Sequence, residues 1–272
     1  MTDRYSVIGR PISHTKSPLI HGLFAQVTEQ DLTYGAIEGE LDGFAGQVLG
    51  FRDGGGRGMN ITAPFKLQAF ELADARSERA TLAKASNALK FENGKIYAEN
   101  FDGIGLLRDI EHNLKTPLAG RQVLVLGAGG AVRGALLPFL AAGPARLVIA
   151  NRDLAKAQTL AAEVNDERVQ VSTYEALAGQ RFDLVINATS ASLFGELPPI
   201  DAAVFGHARL AYELAYGKGL TPFLRLAQEA GVARFADGVG MLVEQAAEAF
   251  EWWRGVRPQT PAVIEQLTVP LV

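Results

Sequence analysis

No cysteine occurs among the 272 residues. This excludes a disulfide framework, a thiolate zinc site and a cysteine nucleophile. The four histidines, His14, His21, His112 and His207, have no metal-ligand spacing, so no metal is expected. Nor is there an uncharged apolar run of about 18 residues, so no transmembrane helix is expected. Positive charge is not in excess: 26 Lys and Arg face 30 Asp and Glu, for a net charge of -4. Binders of nucleic acid or anionic membranes need a basic surface, so neither partner is expected and a small molecule is. A local basic site for one phosphate stays open. The start, Met1–Tyr5, lacks a signal-peptide pattern, which points to a cytoplasmic protein. No surface stripe marks an interface, which leaves monomer or homodimer.

What is present is ordinary globular material, 48% hydrophobic and 21% charged, enough for roughly two domains at about 150 residues each. Tyr5–Gly9, Tyr34–Ile37 and Met59–Thr62 read as strands. Ser17-Pro18 reads as a helix entry, with Ser17 as cap and Pro18 at the first helical position. A helix is expected from Pro64 to about Asp74, and Asn87–Phe91 and Ile96–Glu99 flank a hairpin turn at Glu92-Asn93-Gly94. After Asp102-Gly103 the pattern changes. Gln122–Leu126 and Arg146–Ala150 are continuous apolar runs, as strands buried on both faces require. Helices are expected to about Leu140 and over Leu154–Val164, the second capped by Asp153. Strands at Phe182–Ile186 and Leu210–Leu214 follow. This β-α-β alternation predicts a parallel sheet with right-handed crossovers. From Gly238 the chain turns helical again, over Met241–Phe250 and Val263–Leu267.

Gly127-Ala128-Gly129-Gly130-Ala131 lies between a predicted strand and a predicted helix. A dinucleotide site has that layout: small residues let the backbone approach a pyrophosphate, and the helix N-terminus offers unpaired N–H groups. Val132 occupies the third glycine position, so the strict fingerprint is not met. A tight turn without a ligand would also tolerate these residues. The end of the second strand separates NAD from NADP. An NAD site places an acid there, whereas this chain has Asn151-Arg152-Asp153 with Lys156 beyond. Arg152 and Lys156 suit a 2′-phosphate. Asp153 would repel one unless it caps the helix and points away. The reading is NADP.

The chain resembles the shikimate dehydrogenase family along nearly its whole length. The resemblance rests on Gly9–Pro18, Asn60–Lys66, Ser86–Leu89, Asn100–Gly103, Gly127–Arg133, Asn151-Arg152, Asn187–Ser190 and Asp237–Gln245. It implies an α/β protein in which a Rossmann-type parallel-sheet NADP domain, 104–237, is inserted into an α/β substrate-binding domain, 1–103 with 238–272, with a cleft between them. It implies NADP-dependent, reversible reduction of 3-dehydroshikimate to shikimate. Lys66 and Asp102 match the family's catalytic pair; which of them accepts the proton is left open. Thr15 and Ser17 match the hydroxyls that hold the substrate carboxylate. Thr62, Asn87, Gln245 and Tyr216 match further substrate positions, and Asn60 supports the same loop. Gly127, Ala128, Gly129, Gly130, Ala131, Asn151, Arg152, Lys156, Asn187, Thr189 and Gly238 match the cofactor site.

The chain also departs from the family's pattern. Phe101 stands where Thr is usual, Ser86 and Ala88 where Val and Thr are usual, and Ala63 and Asp153 where Val and Thr are common. Bulk beside Asp102 and a lost hydroxyl imply weak shikimate turnover or altered substrate preference. The competing readings are a dehydrogenase for quinate or another cyclic hydroxy acid, using NAD or NADP, and a non-catalytic NADP-binding sensor. Trp252-Trp253 is expected to pack a helix rather than to stack on a base.

Overall fold

The computed structural model describes residues 2–271, in two compact units: residues up to Gly105 with Val243–Val263, and Leu106–Leu242 with Ile264 onward. The division differs from the expected boundaries at the C-terminal side. Residues 238–242 and those from Ile264 group with the second unit, where Leu271 packs on its core.

The first unit is built on a mixed six-stranded sheet. Its elements are β1 (Asp3–Gly9), α1 (Ser17–Val27), β2 (Leu32–Glu38), α2 (Phe44–Asp53), β3 (Gly56–Ile61), α3 (Lys66–Leu72), β4 (Ala75–Arg76), α4 (Glu78–Ala83), β5 (Ala88–Glu92) and β6 (Lys95–Glu99). Strand order is β2-β1-β3-β5-β6-β4. β1 runs parallel to β2 and β3, while β5 is antiparallel to β3 and β6. The β5–β6 connection is the expected hairpin, with Asn93 (φ 53°) and Gly94 (φ 73°) both left-handed, as the favoured two-residue turn requires. Ile8, Met59, Ile61, Leu89 and Ala98 face a core closed by Phe44 and Phe65, whose rings stack at 4.9 Å. The pairing of Asn60 with Ala88, and of Ala88 with Glu99, sets the end of β3, the start of β5 and the end of β6 side by side. The segments that follow or precede these points, beginning at Thr62, ending at Asn87 and beginning at Asn100, therefore leave one end of the sheet together.

Helix α5 (Asp102–Arg108) carries the chain into the second unit, continuing as a π-helical turn at Asp109–Asn113. There the elements are β7 (Gln122–Leu126), α6 (Gly130–Ala141), β8 (Arg146–Ala150), α7 (Leu154–Val164), β9 (Val169–Ser172), β10 (Leu184–Asn187), β11 (Leu210–Glu213), α8 (Pro222–Glu229) and β12 (Phe235–Ala236). All strand pairs are parallel, in the order β9-β8-β7-β10-β11-β12. This is the doubly wound arrangement of dinucleotide-binding sheets, reversing direction between β7 and β10. Val123, Leu124, Leu147, Val148, Ile149, Val185 and Ile186 are at most 1% exposed, the physical content of their uninterrupted apolar runs. Asp153 caps α7, its carboxylate accepting from Lys156 N, as the sequence predicts. Helix α9 (Val239–Arg254) returns to the first unit, and α10 (Pro261–Leu267) follows.

Candidate active site

At the end of the first unit's sheet, Lys66 opens α3 and Asp102 opens α5. Lys66 Nζ donates to Asp102 Oδ2 at 2.6 Å, although 36 positions separate them in the chain. The side chains are 33% and 14% exposed, so the pair is partly shielded yet open to a ligand. Asp102 is aimed by its own helix start: Asn100 Oδ1 accepts from Asp102 N. Its other oxygen, Oδ1, accepts from Asn87 Nδ2 at 2.8 Å.

Asn87 joins the assembly. Its Oδ1 accepts from Phe101 N and its Nδ2 also donates to Gln245 Oε1 at 3.1 Å. Both ends of the amide are thus engaged, which fixes the orientation of a group only 2% exposed. Gln245 reaches Asn87 because Gly105 lets α9 come close: a Cβ there would lie 2.8 Å from Gln245 Cβ. A second branch starts at the Asn87 carbonyl, which accepts from Asn60 Nδ2, while Asn60 Oδ1 accepts from Tyr34 Oη at 2.6 Å. Burial raises the Tyr34 hydroxyl well above its usual pKa, and a hydrogen bond with Ser17 opposes that. Ser17 in turn lies with Thr15, whose Oγ1 accepts from Ser17 N. The expected capping role of Ser17 is corrected here. Helix α1 begins at Ser17 itself, Lys16 is the cap position, and no side chain caps it. Thr62 directly follows β3, its methyl so near Gly9 that a Cβ at residue 9 would be 2.2 Å away. Thr15, Ser17, Thr62, Lys66, Asn87, Asp102 and Gln245 all belong to the first unit, and Tyr216 to the second, where it is 45% exposed.

The bulk of Phe101 is not on the open face. Its ring is 4% exposed and packs with Ala88, Ala249 and Ile104, edge-on to Trp252 and under the Arg79 guanidinium. Ala88, small where a larger residue is usual, lies in the same cluster. Ser86 is fully buried, its hydroxyl within 2.9 Å of the Ala88 and Glu99 carbonyls. Ser86, Ala88 and Phe101 thus lie in buried packing next to Asn87 and Asp102 in the chain. Trp252 and Trp253 are packing residues, Trp253 stacking on Tyr5 and donating to Leu89 O.

In the second unit a hollow of about 440 Å³ is lined by Ala128, Gly129, Gly130, Arg133, Asn151, Arg152, Asp153 and Lys156. Gly127 takes φ +111° and passes 3.1 Å from Ala188 O, measured from where a Cβ would be, so no other residue fits without strain. Gly129 and Gly130 face open space, which a Cβ would begin to fill. No side chain caps α6, and Gly129, Gly130 and Arg133 at its start line this hollow. Those features fit a dinucleotide phosphate. Arg152 has no ion pair among the described residues, and Lys156 meets only Asp153, at 3.8 Å. Asp153 lines the same hollow while its Oδ1 caps α7. Asn187 is fully buried, donating to Glu213 and receiving Thr189 N and Oγ1, so it braces the turn after β10. Glu213 is also fully buried. Burial raises its pKa, opposed by bonds from Ser192, Asn187, Ala215 N and Thr221. Gly238 passes so close to β11 that a Cβ would be 2.2 Å from Leu214 O. Ala131 lies in the first turn of α6.

Tyr34 and Arg133 carry weight that sequence reading did not assign. Tyr34 sits in a strand of ordinary alternation, with no local signal of its bond to Asn60. Arg133 has a signal in its spacing: three residues past Gly130, it projects from the first turn of the helix that follows the glycines. Among the described residues no group of acids and histidines forms a metal site, and no helix is long and apolar enough to cross a membrane.

Comparison with known proteins finds one family along the chain. Residues 7–89 match the shikimate dehydrogenase substrate binding domain, 109–194 the shikimate/quinate 5-dehydrogenase domain, and 238–268 the shikimate 5′-dehydrogenase C-terminal domain. A shikimate dehydrogenase (NADP(+)) of Nitrosospira multiformis is 53% identical over 268 residues, 98% of each chain. Among solved structures, an Ael1 enzyme from Pseudomonas putida is 74% identical with a TM-score of 0.99, covering both chains fully. Shikimate 5-dehydrogenase from Thermus thermophilus, in complex with NADP(H) and shikimate, is 29% identical with a TM-score of 0.86, covering 97% of this chain and 98% of that one. With identity above half over nearly all its length, and with three domain models in order, the chain belongs to the shikimate dehydrogenase family.

Proposed function

We propose that this protein is an NADP-dependent shikimate dehydrogenase, interconverting shikimate and 3-dehydroshikimate. The observation that carries the reading is the Lys66–Asp102 contact, locked through Asn87 to Gln245, in a chain so similar to NADP-dependent shikimate dehydrogenases. Oxidation of the alcohol releases one hydride and one proton, and NADP takes up the hydride when bound. The proton is the task of the protein. Lys66 and Asp102 exchange it with the substrate oxygen as a unit, since the hydrogen bond between them lets either carry it. Asn87 holds the Asp102 carboxylate in place during the exchange. Thr15 and Ser17 offer hydroxyl donors to the substrate carboxylate without a full counter-charge. Thr62, Asn87 and Gln245 hold ring hydroxyls. In the second unit, the α6 N-terminus and Gly129-Gly130 hold the pyrophosphate, and Arg152 with Lys156 the 2′-phosphate.

The departures at Ser86, Ala88 and Phe101 lie in buried packing, so they supply no reason for a different substrate. The proposal extends to a cytoplasmic enzyme, monomer or homodimer, in keeping with a chain free of cysteine. The test is absorbance of the reduced nicotinamide with shikimate or quinate, each with NADP⁺ or NAD⁺. The expected result is turnover of shikimate with NADP⁺, at a kcat/KM at least about tenfold above the other three pairs. No turnover of shikimate with NADP⁺ overturns the reading.

A further inference from the structure

The three cations that line the nucleotide hollow are held differently. Arg152 and Lys156 follow β8 and are exposed, Lys156 with 70% of its side chain open. Arg133 comes from a different element, the first turn of α6, and only 20% of its side chain is open. Its Nη1 donates to Glu163 Oε2 on α7, so it is fixed by an ion pair. Glu163 is not part of the lining, whereas Asp153 is. The ion pair thus holds the guanidinium beside Glu163, outside the lining, while Arg133 itself lines the hollow.

We infer that Arg133 is a selectivity residue for the 2′-phosphate of the nucleotide, an inference that rests on the NADP reading above. A phosphomonoester carries close to two negative charges near neutral pH. Arg152 alone does not balance these, and the charge of Lys156 is partly answered by Asp153. A guanidinium has five N–H donors in a rigid fork, more than one carboxylate uses, so Arg133 can keep Glu163 and still donate to a phosphate oxygen. Its fixed position lowers the entropy lost on binding compared with a free surface side chain. A nucleotide without the 2′-phosphate gains nothing from it.

The rival explanation is that Arg133 and Glu163 merely tie α6 to α7. Calorimetric binding of 2′,5′-ADP and of 5′-AMP separates the two. Arg133→Gln is expected to weaken 2′,5′-ADP about tenfold or more, the scale of one charged hydrogen bond, and to leave 5′-AMP within about twofold. Glu163→Gln loosens the same tie but keeps the guanidinium, so 2′,5′-ADP is expected to lose less affinity than in Arg133→Gln, with 5′-AMP within about twofold. Equal loss of both ligands in both variants overturns the inference, as does an unchanged ratio in Arg133→Gln. Should Arg133→Gln melt early, Arg133→Lys replaces it, with an expected loss confined to 2′,5′-ADP and smaller in size. A wild-type protein that binds both ligands alike sinks the NADP reading itself, a result distinct from an Arg133 variant that fails to change a clear wild-type preference.

Discussion

In the first unit the candidate site is made of side chains that bond one another: Lys66 to Asp102, Asp102 to Asn87, Asn87 to Gln245, and Asn60 to Tyr34. In the second, the hollow is made of backbone and glycine, ringed by cations, two of which stand exposed in water. The difference follows from the two tasks. Proton exchange needs heavy atoms placed within hydrogen-bond reach, and a buried network holds them there. Phosphate binding needs charge and N–H groups over a wider area, which a helix end and flexible side chains supply.

The comparison predicts that changes in the first network act on turnover, and changes around the hollow on affinity for the nucleotide. The largest expected effect is for Lys66→Ala: kcat falls about 10²–10⁴-fold, with nucleotide affinity within about twofold, by steady-state kinetics and calorimetry. Next comes the buried packing around Phe101. Phe101→Ala empties a closely packed cluster and should cost about 3–5 kcal/mol in chemical denaturation. The milder Phe101→Leu should leave the shikimate-to-quinate ratio of kcat/KM unchanged. A shift in that ratio would return Phe101 to the specificity-determining place that its sequence position first implied. Arg152→Gln should weaken NADP⁺ about tenfold or more with kcat near wild type at saturation. A kcat loss instead would blur the division between the two units.

A last effect concerns His21, buried in the first unit and stacked on Tyr34 at 4.1 Å. Burial lowers its pKa from 6.5 to about 3. Between those values the unfolded chain takes up a proton that the folded one refuses, so stability falls as pH drops through the window. The slope is at most about 1.4 kcal/mol per pH unit, and it vanishes above pH 6.5. Melting temperatures at pH 6.5 and pH 5 should therefore differ more for the wild type than for His21→Phe.

The two regions also differ in how far the sequence revealed them. Strands β7 and β8 and the glycine turn were readable because their signals are local: a continuous apolar run, then small residues, then a helix. The hairpin at Asn93-Gly94 and the cap at Asp153 were readable for the same reason. The first-unit site was not readable from spacing. Lys66 and Asp102 are 36 residues apart, and Asn87 and Gln245 are 158 apart. Strand pairing and the close approach at Gly105 bring them together, and only the resemblance to a family named them beforehand. Ser17 shows the limit of a local rule, since a residue typical of helix caps here pairs with Thr15 and leaves the helix uncapped. Phe101 shows another, because its neighbours along the chain could not say which way the ring turns.

The most direct measurement is a double-mutant cycle on kcat for shikimate oxidation with NADP⁺, using Lys66→Ala, Asp102→Asn and the two combined. If the pair moves the proton as one unit, each single change costs about 10²–10⁴-fold and the double variant is little worse than the poorer single one. Losses that multiply, or a single variant with wild-type kcat, would contradict the account.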